Sequence, residues 1–78
     1  MLSSDSFYIP DDWLGKTIAI LGYSEEGQEY ARLLSDRGIQ VVIGLRPDDD
    51  AWQEAEKAGF HVKTLWEAVK SATVIQVW

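Results

Sequence analysis

The sequence predicts an α/β domain, a four-stranded parallel sheet in the order 3-2-1-4 with three helices. Three observations predict it. Short, unbroken, β-branched apolar runs recur along the chain, as in strands buried on both faces. A helix-start signal follows each of the first three. Gly22, Gly38 and Gly59 punctuate the changes from one period to the next.

Residues 1–15 read as an N-terminal arm. Ser3, Ser4, Asp5 and Ser6 suit a mobile tail, whereas Phe7, Tyr8, Ile9 and Trp13 are apolar enough to pack on the domain. Residues 16–78 form the domain itself. Thr17-Ile18-Ala19-Ile20-Leu21 is the first strand, ended by Gly22. Ser24 is placed to cap a helix whose first turn holds Glu25 and Glu26, where acids suit the helix dipole. Gly27, Ala31 and Leu34 recur at the spacing of one buried face, and Gly38 is a natural stop.

Gln40-Val41-Val42-Ile43-Gly44-Leu45 is the second strand. Asp50 with Gln53 resembles a capping box, and Ala51, Ala55 and Ala58 form a thin face that lets a helix lie close to a sheet. His61-Val62-Lys63 is a short third strand, polar enough for an edge. Thr64 with Glu67 is a better capping box and opens a short helix through Ala72. Thr73-Val74-Ile75-Gln76-Val77-Trp78 is the fourth strand.

Composition bounds the function. With 78 residues the chain holds one domain, and 46% hydrophobic content places it among globular proteins. It has no cysteine and a single histidine, His61, which excludes a disulfide scaffold, a zinc finger and a histidine-rich metal centre. A net charge of −6 argues against nucleic acid and an anionic membrane surface as partners. No apolar run has transmembrane length, and the first fifteen residues hold no Lys or Arg, unlike a signal peptide. A cytoplasmic protein is expected.

In a sheet of this order, ligands sit at the carboxyl ends of the strands near the switch in strand order, here the Gly22 turn. The dinucleotide fingerprint is G-x-G-x-x-G. Gly22-Tyr23-Ser24-Glu25-Glu26-Gly27 keeps its first and third glycines in the right strand–turn–helix setting. Together with Gly15 to Tyr23, Gly27-Gln28, Val41-Val42-Ile43-Gly44-Leu45-Arg46, Ala58-Gly59-Phe60 and Glu67-Ala68, this stretch resembles the N-terminal cofactor-binding region of ketol-acid reductoisomerase, over about residues 13–78. The Gly-Leu-Arg after the second strand is the most specific part. The resemblance implies a Rossmann-type binder of NADPH or NADH, here a half-Rossmann, from a family that reduces and isomerises acetohydroxy acids with Mg²⁺.

Departures from the family pattern shape the expectation. Ser24 stands where the family has its middle glycine, which lets the backbone approach the pyrophosphate. Glu25 and Glu26 stand where the two phosphates would lie, and each would repel them by about 1 kcal/mol in a wet site. One reading keeps the pyrophosphate on the helix N-terminus; the other has Ser24 and the acids satisfying that terminus themselves. After the second strand, Arg46 matches the family arginine, placed to lie against an adenine ring. Asp48, Asp49 and Asp50 replace the serines or basic residues that hold a 2′-phosphate. Weak or lost NAD(P) binding follows, with NAD(H) favoured over NADP(H). The bland alternative is a solvated acidic loop whose last member caps a helix.

The sequence stops within the predicted fourth strand, so the family's metal-binding half is not expected here. This chain is not expected to bind Mg²⁺ or to be catalytic by itself. His61 reads as a surface histidine, leaving the serines without a base for a nucleophilic triad. The strand Val74 to Trp78 would be a bare apolar edge, with Trp66 and Trp78 nearby, which predicts a homodimer through that edge. Two functions are therefore weighed: a nucleotide-binding module, and a non-catalytic association module that kept the fold without the ligand.

Overall fold

The computed structural model describes residues 11–77. Strands β1 (Thr17–Leu21), β2 (Gln40–Leu45), β3 (His61–Thr64) and β4 (Val74–Val77) alternate with helices α1 (Glu25–Asp36), α2 (Ala51–Lys57) and α3 (Leu65–Ser71). All pairings are parallel and the sheet order is β3-β2-β1-β4, as expected. Met1 to Pro10 and Trp78 lie outside the described residues, and with them the packing expected of Phe7, Tyr8 and Ile9. The domain nevertheless begins before Lys16. Asp11–Trp13 form a 3-10 turn, the Lys16 N–H donates to the Trp13 carbonyl, and Trp13 meets Tyr30 edge-on at 6.5 Å between ring centres.

The register sorts every strand residue onto one of two faces, because side chains alternate along a strand. Ile18, Ile20, Val41, Ile43 and Leu45 face α1 and α2 and pack with Tyr30, Ala31, Leu34 and Ala55. Ile18, Ile20, Leu34 and Ile43 are fully buried, each contributing roughly 1.5–3 kcal/mol by leaving water. Ala19 and Val42 face α3 and pack with Ala68. The chain moves from β1 to β2 to β3 on one side of the sheet. It must then cross over β2 and β1 on the other side to reach β4, and α3 makes that crossing.

The helix starts follow their local chemistry. Ser24 Oγ accepts the Gly27 N–H at 3.1 Å, which caps α1. Thr64 and Glu67 form the expected reciprocal box at α3. The start of α2 differs from expectation. Asp50 is already helical and makes no side-chain cap; the carboxylate of Asp49 accepts the Ala51 N–H at 2.9 Å instead. The cause is a turn in which the Asp49 N–H donates to the Arg46 carbonyl, so that Asp49 comes to lie before the first helical amides. Ala55 is buried and Ala51 half-buried, but Ala58 follows the last residue of α2 and is exposed, so the thin alanine face is shorter than the spacing implied. Among the described residues no helix is long and apolar enough to cross a membrane.

Gly44 sets how closely α3 lies on the sheet. A Cβ added there would come within 2.7 Å of Leu21 Cδ2 and 2.9 Å of Ala68 Cβ. Leu21 can rotate away, but the Ala68 methyl cannot, so α3 would have to lift. The Gly44→Ala variant is expected to lose about 1–3 kcal/mol, the usual cost of overpacking, seen as a lower denaturation midpoint. An unchanged midpoint would show that α3 is not tightly seated there.

Candidate functional site at the carboxyl ends of the strands

The turn after β1 is built as a phosphate-facing loop would be. Gly22 has φ 102°, a conformation that side chains disfavour, and its N–H donates to the Gly44 carbonyl at 3.0 Å. The β1–β2 ladder thus runs one step into the turn and ties the two glycines together. Gln28 closes the turn from the other side, donating from Nε2 to the Tyr23 carbonyl at 3.2 Å.

Four backbone N–H groups at the start of a helix have no partner within it. In α1 these are the N–H groups of Ser24, Glu25, Glu26 and Gly27; the Ser24 hydroxyl answers that of Gly27, while its carbonyl takes the first intrahelical bond, from Gln28 N–H at 2.8 Å. The amides of Ser24, Glu25 and Glu26 remain for water or a ligand. The glutamate side chains are exposed and form no ion pair among the described residues. The turn therefore keeps three donors for an anion and surrounds them with two carboxylates.

Tyr23, expected at the cofactor, is placed differently from its neighbours. Its ring stands edge-on to Phe60 at 6.4 Å and packs against the core, leaving its backbone as its contribution to the turn. Burial raises the pKa of the Tyr23 hydroxyl above the ordinary 10.0, with Arg32 opposing and Glu54 adding to the rise. Burial raises Tyr30 as well.

Beside the turn lies a shallow pocket of about 260 Å³, lined by Gly22, Gly44, Leu45, Arg46, Asp49 and Leu65. Its floor is apolar and its rim carries one guanidinium and one carboxylate. Of the three aspartates predicted to meet a ribose, only Asp49 lines this pocket. Asp48 and Asp50 line, with Asp49, a second open depression of about 470 Å³ over Trp52 and Glu56. Gly22, Arg46 and Asp49 are thus brought together; Asp48 and Asp50 turn away.

The sequence reading missed Leu65, Leu45 and Gln28. Leu65 reaches the pocket because α3 begins directly where β3 ends, which only the crossing over the sheet reveals. Gln28 bears a signal, its place after the third glycine, but the bond back to Tyr23 is not visible in the pattern.

Known proteins resemble this chain along nearly its whole length. The family model described as acetohydroxy acid isomeroreductase, NADPH-binding domain, matches residues 13–78. A ketol-acid reductoisomerase (NADP(+)) of Pyrococcus abyssi is 44% identical over 62 residues, covering 80% of this chain and 19% of that protein. A solved NADH-preferring ketol-acid reductoisomerase from an uncultured archean superposes with TM-score 0.77 at 32% identity, over 86% of this chain and 22% of that one. The chain spans about a fifth of the length of each.

Two measurements test the local reading of the turn. Ser24→Ala removes the cap and is expected to cost about 1 kcal/mol, whereas Ser24→Gly, acceptable at a cap position, costs only a few tenths. Equal losses in chemical denaturation would show that the hydroxyl does not hold the helix start. The tyrosines give a pH dependence. Their protonated forms are favoured in the fold, so that stability is complete below pH 10.0 and falls as pH rises through the raised pKa values. Thermal melts should drop above that pH, and Tyr23→Phe should lessen the drop; an identical drop in the variant would assign it elsewhere.

Proposed function

The chain belongs to the acetohydroxy acid isomeroreductase NADPH-binding domain family, and from that membership we propose that it is the cofactor-binding module of a ketol-acid reductoisomerase-like protein, holding a nicotinamide dinucleotide weakly and preferring NADH to NADPH. The observation that carries this reading is the turn from Gly22 to Gly27. Its glycine conformation and the two open amides of Glu25 and Glu26 suit a pyrophosphate. The flanking carboxylates weaken the same contact.

The preference follows from the pocket beside the turn. The apolar floor of Leu45 and Leu65 suits an adenine, and Arg46 on the rim is a flat cation that can stack on it. Asp49 supports a ribose diol, since a carboxylate accepts hydroxyl hydrogen bonds and repels a 2′-phosphate. One of its oxygens already accepts the Ala51 N–H, so it is held in place for that role. Arg46 is the only basic residue between Gln40 and Lys57, too little positive charge to favour NADPH. Relatives bearing both cofactor names resemble this chain, so the preference rests on these residues.

Tryptophan fluorescence during titration with NADH and NADPH tests the proposal. Saturation by NADH in the millimolar range is expected, with NADPH weaker. Replacing Ser24 with Gly, Glu25 with Ser and Glu26 with Gln removes about 2 kcal/mol of repulsion, so NADH should bind roughly 30-fold more tightly. No response to either cofactor by either protein would overturn the reading. NADPH binding the tighter of the two would overturn the preference.

A further inference from the structure

Gln28 donates twice into the turn before α1. Its backbone N–H reaches the Ser24 carbonyl at 2.8 Å, and its side-chain Nε2 reaches the Tyr23 carbonyl at 3.2 Å. The first bond is the ordinary start of a helix. The second lies where the helical ladder has stopped. Were the helix one residue longer at this end, the Gly27 N–H would take the Tyr23 carbonyl. The Ser24 hydroxyl takes that N–H instead. The side chain of Gln28 thus replaces a backbone donor that the cap has diverted. Helix side chains lean toward the N-terminus, which brings the amide within reach. Glutamate, of the same length, would bring an acceptor in place of a donor.

We propose that Gln28 is a positioning residue for the diphosphate of the cofactor, given the reading of the turn as its seat: it holds the Tyr23–Ser24 peptide so that the Ser24 N–H faces the ligand. A trans peptide is planar, with its carbonyl and its N–H on opposite sides. Gln28 lies one turn inside α1, so the Tyr23 carbonyl points along the helix. The Ser24 N–H therefore points out of the N-terminal end, as the free N–H groups of Glu25 and Glu26 do. Among the described residues the Ser24 N–H has no hydrogen-bond partner. It stands in for the Gly27 N–H, which the cap has taken, as the third donor to an anion.

The other contacts of the turn do not fix this peptide. It rotates about the bonds on either side of it, Tyr23 ψ and Ser24 φ. The Tyr23 ring in the core and the Gly22 bond to the Gly44 carbonyl lie before the first of these bonds, and the Ser24 hydroxyl lies after the second. A reversed peptide would turn the Tyr23 carbonyl toward the diphosphate and repel it.

Gln28→Met keeps the length and the helix propensity and removes the donor. In amide NMR spectra of the free chain, the Ser24 and Glu25 signals of this variant should shift or broaden. Signals of α1 beyond residue 28 should stay in place, and the thermal midpoint should hold. Unmoved Ser24 and Glu25 signals would overturn the proposal, since the peptide then holds itself. So would shifts spread through α1 with a lower midpoint, the mark of a helix-stabilising role alone. The binding arm uses Glu25→Ser with Glu26→Gln, which leaves Ser24 in place and binds NADH tightly enough to follow a loss. Adding Gln28→Met there should weaken NADH about fivefold, as for one hydrogen bond. An unchanged affinity sinks the positioning role while leaving the cofactor reading intact. No NADH binding by the doubly substituted chain overturns the cofactor reading, and the role of Gln28 toward a diphosphate with it.

Discussion

The approach of α3 to the centre of the sheet is the constraint on which the rest of this structure depends. The chain can reach β4 only by crossing β2 and β1, and with seven residues of helix it must do so at close range. Close range needs small side chains on both surfaces. Ala68 supplies one and Gly44 the other, with Ala19 and Val42 completing the contact. Lowering α3 onto the sheet also brings its first residue, Leu65, over the ends of β1 and β2, where it forms part of the pocket floor. Gly44 is therefore tied twice to the site: by its missing side chain to α3, and by its carbonyl to the Gly22 N–H.

Much of this was legible in the sequence because it rests on short-range chemistry. The β-branched runs gave the strands, and the alternation with helices gave the order. Ser24 and the Thr64–Glu67 pair carried cap signals that the structure honours. The start of α2 was less legible, since Asp49 and Asp50 both fit a cap and the choice was made by the turn from Arg46. The pocket was half legible. Gly22 and Arg46 announce themselves by motif, but Leu65 arrives through a tertiary crossing that no local pattern encodes. Tyr23 shows the reverse case: a motif position whose side chain the core has taken.

The turn at the start of α1 balances two demands made of the same atoms. A bare helix terminus must find acceptors for its amides, and a nucleotide site must leave some of them free. Glycine at the position of Ser24 would leave the Gly27 amide to a ligand. Serine answers that amide itself and steadies the helix when nothing is bound. The two glutamates favour the dipole at the same end. Each change that makes α1 more stable alone makes its terminus a poorer seat for a diphosphate. The backbone shape of the turn does not depend on that balance, for Gly22 holds the positive φ the turn requires.

Across the face that α3 covers, the register reads as a gradient. One row runs His61, Val42, Ala19, Ile75 and the next runs Lys63, Gly44, Leu21, Val77. The β3 end of each row is charged or polar, the centre is apolar beneath α3 with Ala19 and Gly44 giving it room, and the β4 end is apolar and exposed. A sheet that ended at both margins would have no use for this asymmetry, because water rewards polar side chains equally at either edge. The β3 margin is finished as an edge; the β4 margin has the composition of an interior. Burying Ile75 and Val77 would return roughly 1.5–3 kcal/mol for each side chain fully covered, a drive toward contact that the β3 margin, with its exposed His61 and Lys63, does not have.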